Sequence, residues 1–367
     1  MKTRRWIAPI AALVVTAIAI AAASAATGRT HTRSAPAKTY RIALANSFIG
    51  NTWRVEMENL FKAGCKMPPY NAQVQCSVYN SGNDVGKQTQ QISNLISQRV
   101  DAIVINAASP AGLNGIIKQA CDRGIVVVSF DNVVTAPCAQ TVNTNQFKFG
   151  QQGAKFLVDQ LKGKGNVVMV TGVAGTFADS ERNRGAMSVF KANPGIKVVA
   201  KYSGNWDSAA AQRATAAQLP SLPTIDGVWV SGGTDGVLKA FVSAGKPLPV
   251  TAGEGENGYR RFLLPAGYKG KHTRGISIGQ PPFLSLVSLE LARGILAKQH
   301  AKTNIEIPFP VVTHQTVKQG LTVFPNLPDS FFADFTDSGP NATLVICVKA
   351  ALTGKPCAGR LTIRLPK

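Results

Sequence analysis

The run Val100-Asp101-Ala102-Ile103-Val104-Ile105-Asn106 returns in kind as Ile225-Asp226-Gly227-Val228-Trp229-Val230-Ser231. After each copy comes a helix-patterned segment ending at a glycine, Gly124 or Gly245, and then a second β-branched run. Both second runs end in an acid: Asp131 lies 30 residues after Asp101, and Glu254 lies 28 after Asp226. Strand runs that are apolar throughout, rather than alternating, imply a sheet covered on both faces, as parallel sheets with crossover helices are. The repetition therefore predicts an α/β chain of two similar lobes. Ligands of doubly wound sheets bind outside the carboxyl ends of the strands, so Asp131 and Glu254 are expected where ligands go. If the lobes face each other, both acids line one cleft.

The same alternation extends outward from Tyr40. Strands are expected at 40–45, 102–105, 125–129, 166–170, 227–230 and 249–252. Between them, Ile92, Leu95 and Ile96 within 88–100, and Leu113, Ile116 and Ile117 within 113–121, fall at the spacing of one-faced helices. A length of 367 residues suits two lobes of ordinary size. With 45% hydrophobic and 16% charged residues, the chain is neither disordered nor a polytopic membrane protein. Its net charge of +21 is dispersed: Lys and Arg stand singly or in pairs such as Arg260-Arg261, and the longest cluster is Lys269-Gly270-Lys271-His272-Thr273-Arg274. Dispersed charge reads as a solvated surface and not as a nucleic-acid footprint.

Lys2, Arg4 and Arg5 precede an apolar stretch from Trp6 to Ala23, and Ala23-Ser24-Ala25 follows in the small-x-small pattern of a signal peptidase site. Residues 1–25 are read as a secretory signal, cleaved or retained as an anchor, and 26–39 as a flexible leader. Loss of those three positive charges lowers the net charge from +21 to +18, and no cysteine near the cleavage point is available for lipid attachment. The six cysteines fall into three local couples, Cys65 with Cys76, Cys121 with Cys138, and Cys347 with Cys357. Six cysteines allow fifteen pairings; the local set would close loops worth roughly 3 kcal/mol each and suits an oxidising compartment. With no CxxC or His/Cys cluster, neither a metal site nor a cofactor is expected.

Further motifs occur in order along the chain: Ile42-Ala43-Leu44-Ala45-Asn46-Ser47-Phe48-Ile49-Gly50-Asn51-Thr52-Trp53, Val127-Val128-Ser129-Phe130-Asp131-Asn132, Ala174-Gly175-Thr176 before Glu181-Arg182-Asn183-Arg184-Gly185, and Ile276-Ser277-Ile278-Gly279-Gln280-Pro281. From about 40 to 325 the chain resembles the type I periplasmic binding proteins of sugar ABC transporters, the ribose/galactose-binding group. The resemblance implies two interleaved Rossmann-like lobes with parallel sheets and a three-strand hinge. It places the first lobe at 40–142 plus 278–306 and the second at 143–277 plus 307–325, with crossings near Asn143, Ser277 and Pro308. Residues 326–367 form a C-terminal extension, expected to pack back on one lobe.

Ligand contacts implied by the resemblance are Asn51, Trp53, Asp131, Asn132, Arg182, Trp206, Glu254 and Gln280. Four departures stand out: Arg54 where a second stacking aromatic is usual, Ser231-Gly232-Gly233 in place of an Asn-Asp region, Glu rather than Asp at 254, and the extension itself. The chemistry of these side chains fits a polyol. Carboxylates and amides exchange hydrogen bonds with hydroxyls, Arg is a fixed fork of donors, and Trp covers a face of C–H groups. The implied partners are a small sugar or polyol and the membrane permease of an ABC importer, with the binding protein itself a monomer.

Rival readings have less behind them. Gly253-Glu254-Gly255-Glu256-Asn257-Gly258 matches the dinucleotide fingerprint, but its two carboxylates stand where a pyrophosphate needs bare amides; a mobile turn holding Glu254 is expected instead. The four histidines are scattered, and no GxSxG nucleophile turn exists. A glycosidase pair of carboxylates remains an alternative. So does a sensory role, with the closed form presented to a chemoreceptor or sensor kinase. A sugar-sensing transcription regulator would need a helix-turn-helix where the export signal stands. Asn341-Ala342-Thr343 is a glycosylation sequon, read here as carrying no glycan.

Overall fold

The computed structural model describes residues 38–301, 303–337 and 343–365. The expected export signal, the expected leader up to residue 37, and Asn341-Ala342 of the sequon lie outside these residues. Among the described residues, the strands form two six-stranded sheets, and no helix is long and apolar enough to cross a membrane.

The first sheet is built from β1 (Tyr40–Asn46), β2 (Val74–Asn80), β3 (Ala102–Asn106), β4 (Val126–Phe130) and β5 (Gln140–Asn143), interleaved with α1 (Thr52–Cys65), α2 (Val85–Ser97) and α3 (Asn114–Asp122). The chain then enters α4 (Gln146–Gln160) and builds the second sheet from β6 (Gly165–Thr171), β7 (Ile196–Ser203), β8 (Gly227–Val230), β9 (Val250–Gly253) and β10 (Gly275–Ile278). Its helices are α5 (Phe177–Lys191), α6 (Ser208–Gln218), α7 (Thr234–Ser243) and α8 (Asn257–Leu263). Two returns follow: α9 (Leu284–Leu296) and β11 (Ile305–Glu306) rejoin the first lobe, and β12 (Val311–Thr313) rejoins the second sheet. The last helix is α10 (Val348–Thr353).

Sheet orders are β2-β1-β3-β4-β5-β11 and β7-β6-β8-β9-β10-β12, the same winding twice. β3 explains the uninterrupted apolar runs. Ala102 and Val104 enter one cluster with Met57 and Phe61 of α1 and Leu286 of α9, while Ile103 and Ile105 enter the opposite one with Ile92 and Leu95 of α2. In the second lobe Val167 and Met169 pack with Phe149 and Phe190, and Val168 and Val170 pack with Val237 and Phe241. Pairing is parallel throughout except β12, which runs antiparallel to β10. The chain leaves β11 at the carboxyl end of the first sheet and enters the second from its own carboxyl end, so that last strand must run backwards.

Helix boundaries follow local capping. Helix α2 starts at Val85, three residues before the apolar pattern suggested, because the Asp84 side chain accepts from the Lys87 backbone N–H at 2.9 Å. It stops at Ser97, two residues before the left-handed Arg99. The three disulfides join the sequence-local couples, Cys65–Cys76, Cys121–Cys138 and Cys347–Cys357.

The C-terminal extension binds both lobes, where packing on one was expected. Phe331, Phe332 and Phe335 join the cluster of Trp53, Met57 and Phe61, and the Asn59 side chain of α1 donates to the Ala351 carbonyl of α10 at 2.8 Å. The backbone of the same segment is tied to the second lobe. Asn257 N–H donates to the Phe331 carbonyl at 2.7 Å, and Ala333 N–H to the Gly255 carbonyl at 3.1 Å. Arg260 of α8 donates one amino group to both carboxylate oxygens of Asp334, at 2.9 and 2.7 Å, with both side chains buried. A Cβ at Gly255 or Gly279 would lie 2.2 or 2.1 Å from Asp334 Oδ2, so the carboxylate approaches both backbones too closely for any side chain there.

Removing one member of a buried pair strands the other charge. Arg260→Met is expected to cost about 3–5 kcal/mol in urea unfolding, and adding Asp334→Leu to recover most of that loss.

Candidate ligand-binding cleft

Each sequence-derived cleft residue follows the carboxyl end of a strand: Asn51 and Trp53 after β1, Asp131 and Asn132 after β4, Arg182 after β6, Trp206 after β7, Glu254 after β9, Gln280 after β10. Seven of these eight line one cavity, shared with Arg54, Ala178 and Phe332.

On the first lobe, Asn51 caps α1 by accepting from the Arg54 N–H at 2.9 Å, which fixes the turn that carries Trp53 and Arg54 to the cleft. Arg54 NH2 lies 3.3 Å from Asp131 Oδ2, and its NH1 donates to Asn46 Oδ1 at 2.8 Å. Asp131 has a left-handed backbone, φ 56°, a conformation that Asp tolerates better than most residues. Its Oδ2 also accepts from the Asn106 and Asn132 amides at 3.0 Å, and its Oδ1 from the Gln280 amide at 2.9 Å. The Trp53 indole N–H donates to the Gln280 carbonyl at 2.7 Å, leaving the ring as the part of Trp53 that a ligand can use.

On the second lobe, Arg182 is 2% exposed. Its Nε donates to Gln146 Oε1 at 2.7 Å, and its NH1 to the Ser231 carbonyl at 3.0 Å and Glu254 Oε1 at 3.1 Å. Its guanidinium carbon stands 3.9 Å over the Phe149 ring centroid, a cation–π contact from beneath. Trp206 is held by its indole N–H on Ser231 Oγ at 3.1 Å, and the backbone of Gly172 passes so close that a Cβ there would lie 2.0 Å from the same nitrogen.

Asn132 departs from the expected set. It does not line the cavity. It lies beneath the surface, donates to Asp131, and accepts at Oδ1 from the Ala178 N–H in the first turn of α5, 2.9 Å away across the lobes. Arg54, Ala178 and Phe332 are cleft residues that sequence reasoning did not select. Arg54 was visible only as a departure, and Phe332 only as one of three phenylalanines in a tail without periodicity.

The glycine run 253–258 holds no left-handed glycine and is closely packed where a loose turn was expected. Its glycines admit neighbours: a Cβ at Gly253 would lie 2.3 Å from Thr234, and one at Gly258 2.7 Å from Asp329. Glu254 points into the cleft, while Glu256 turns away and accepts from the Gly233 and Thr234 N–H groups at the amino end of α7, at 2.5 and 3.3 Å. Burial pushes the Glu254 carboxyl up to about 8 against the pull of Arg182. Glu256 rises to about 7 by burial, with Asp235 adding to it. Among the described residues, no group of three or more His, Cys, Asp and Glu side chains could hold a metal ion.

Residues 42–299 match the periplasmic binding protein domain. The chain belongs to that family. A xylitol-binding protein of Mycolicibacterium smegmatis is 29% identical over 65% of this chain and 69% of its own length. The ribose import binding protein of Bacillus subtilis is 26% identical over 76% and 88%. Among solved structures, an ABC transporter solute-binding protein from Thermobispora bispora is 32% identical with a TM-score of 0.66, covering 74% of this chain and 84% of that one. The family is one of binding proteins, and the matched segment ends before the extension that supplies Phe332.

Raised carboxyls set a stability trend. Between about 4.5 and 8 the folded protein holds a proton on Glu254 that the unfolded chain releases, and Glu256 acts likewise up to about 7. Folded stability therefore falls as pH rises through this window. Calorimetric melts of the ligand-free protein are expected to decline from pH 5 to 8. In Glu254→Gln the decline should be shallower, because one of the raised carboxyls is gone.

Proposed function

We propose that the protein is an extracytoplasmic solute-binding protein that captures a monosaccharide or polyol between its lobes and delivers it to the permease of an ABC importer. The observation that carries this reading is the cleft itself. Each lobe brings an arginine–carboxyl pair and a tryptophan to one cavity. Fixed donor forks and planar acceptors suit hydroxyls, and indole faces suit the C–H side of a sugar ring. Xylitol and ribose, the ligands named for the two curated relatives, belong to the same chemical class. Export by the amino-terminal signal puts the protein outside the cytoplasm, which is also where its three disulfides persist.

Asn51, Trp53, Asp131, Arg182, Trp206, Glu254 and Gln280 hold the ligand in this reading, and Asn132 supports Asp131 from below. The lobes, 40–142 plus 278–306 and 143–277 plus 307–325, close on it about crossings near Asn143, Ser277 and Pro308. Ligand favours the closed form by the contacts that only that form offers.

A thermal-shift panel of D-ribose, D-allose, D-fructose, xylitol and myo-inositol tests the proposal. A true ligand at about 100 times its Kd stabilises by roughly 2.7 kcal/mol. Arg182→Ala is expected to remove most of the response while the protein stays folded by circular dichroism. No response from the unaltered protein to any member, or near-normal affinity in the variant, would count against the assignment.

A further inference from the structure

We propose that the C-terminal extension is part of the binding site, and that Phe332 is a specificity-determining ligand contact supplied from outside the two lobes. The inference rests on the sugar- or polyol-binding reading above. Phe332 lines the same cavity as Trp53, Arg182 and Trp206, yet it lies past the end of the family match at residue 299.

Its position is fixed from both sides. The Phe332 N–H donates to Glu56 Oε1 of α1 at 2.9 Å, a buried bond to the first lobe, and residue 332 bridges Glu256 of the second. On either flank, Phe331 and Ala333 exchange backbone bonds with Asn257 and Gly255, and Asp334 is clamped by Arg260. The neighbouring Phe331 and Phe335 rings pack 5.4 Å apart in the first-lobe cluster. A segment so tied cannot swing aside without breaking buried bonds on one lobe or the other.

The cleft also needs what Phe332 offers. Besides Trp53 and Ala178, the residues facing the cavity from the strand ends are polar or charged, except Trp206 on the second lobe. Arg54, next to Trp53, has its guanidinium engaged by Asp131 and Asn46. Phe332 thus adds a third aromatic side chain to a cavity whose remaining walls read hydroxyls. Such a contact selects between ligands by how much C–H surface they present, so it bears most on deoxysugars and pentoses against fully hydroxylated rings.

The test compares the unaltered protein with Phe332→Leu, Phe332→Met and Arg182→Ala. The probes are D-ribose, D-allose, D-fructose, L-fucose, xylitol and myo-inositol, read by calorimetry and by ligand-free melting temperature. Leu and Met keep apolar volume and remove the flat face. At least one of the two should fold with a melting temperature close to the parent's. That variant should bind the parent's best probe roughly three- to tenfold more weakly and change the rank order of the panel. Unchanged affinity and rank order in a folded Phe332 variant would overturn the proposal while the sugar reading stands, provided Arg182→Ala still loses binding. Loss of folding in both variants would also overturn it, assigning Phe332 to the core. If the unaltered protein binds no probe, the sugar reading fails and this proposal fails with it.

Discussion

A buried guanidinium is tolerated only when its hydrogen-bonding capacity is largely met by protein groups, and two of them border one small cavity here. Arg54 meets Asp131 at 3.3 Å and Arg182 meets Glu254 at 3.1 Å. The partition matters: each pair lies within one lobe. Separating the lobes therefore strands no charge, and opening need not break an ion pair in low dielectric. The direct bond seen across the cleft is a neutral one, Asn132 to the Ala178 N–H, and such a bond is worth about 1 kcal/mol net. Across the cleft itself the cross-link is light; the heavier tie between the lobes is the C-terminal extension, which holds α8 through Asp334 and α1 through Phe332.

The crossings are wired into that arrangement. Gln280, just after β10, donates to Asp131 and accepts at Oε1 from Thr144, just after β5, at 2.5 Å. Its carbonyl takes the Trp53 indole N–H. Two interlobe segments thus meet at one glutamine, whose side chain also reaches the acid and whose backbone carbonyl holds the aromatic of the first lobe. A change in the angle between lobes alters the geometry at Asp131, which is how occupancy of the cleft and shape of the molecule become one variable. The extension adds a further tie, since Asp334 and Phe332 link α8 to α1 beside the same crossings.

Much of the fold was legible because it depends on local patterns. The twin runs at 100–106 and 225–231 became β3 and β8 with their flanking turns, and the acids ending the next runs arrived where parallel winding puts them. The three cysteine couples are near in sequence, and the pairing is local. What stayed hidden depends on long-range placement. Nothing about Arg54 in isolation says that a loop 77 residues later will supply its carboxylate, a separation read directly from Arg54 and Asp131. The direction of Asn132 was equally invisible: from its place after β4 it should face ligand, but Asp131 takes the cleft-facing position with a left-handed backbone and leaves Asn132 to reach α5. The glycine run misled because glycine serves both mobility and close approach, and only the neighbours at Thr234, Asp329 and Asp334 reveal the second use.

The charge of the chain acquires a different meaning beside this site. A net +21 would suggest an anionic ligand if the excess converged on the cavity. It does not converge there: the cavity holds two guanidiniums and two carboxylates, and each guanidinium lies beside a carboxylate of its own lobe. An anionic ligand at Arg54 would have to displace Asp131 and leave that carboxylate buried without a partner. A cationic one would face the converse at Arg54 or Arg182. A neutral polyhydroxy compound disturbs neither pair, because hydroxyls can accept from the arginines and donate to the acids in the positions that water would otherwise fill. The excess of positive charge belongs instead to the surface, spread over singly placed Lys and Arg side chains.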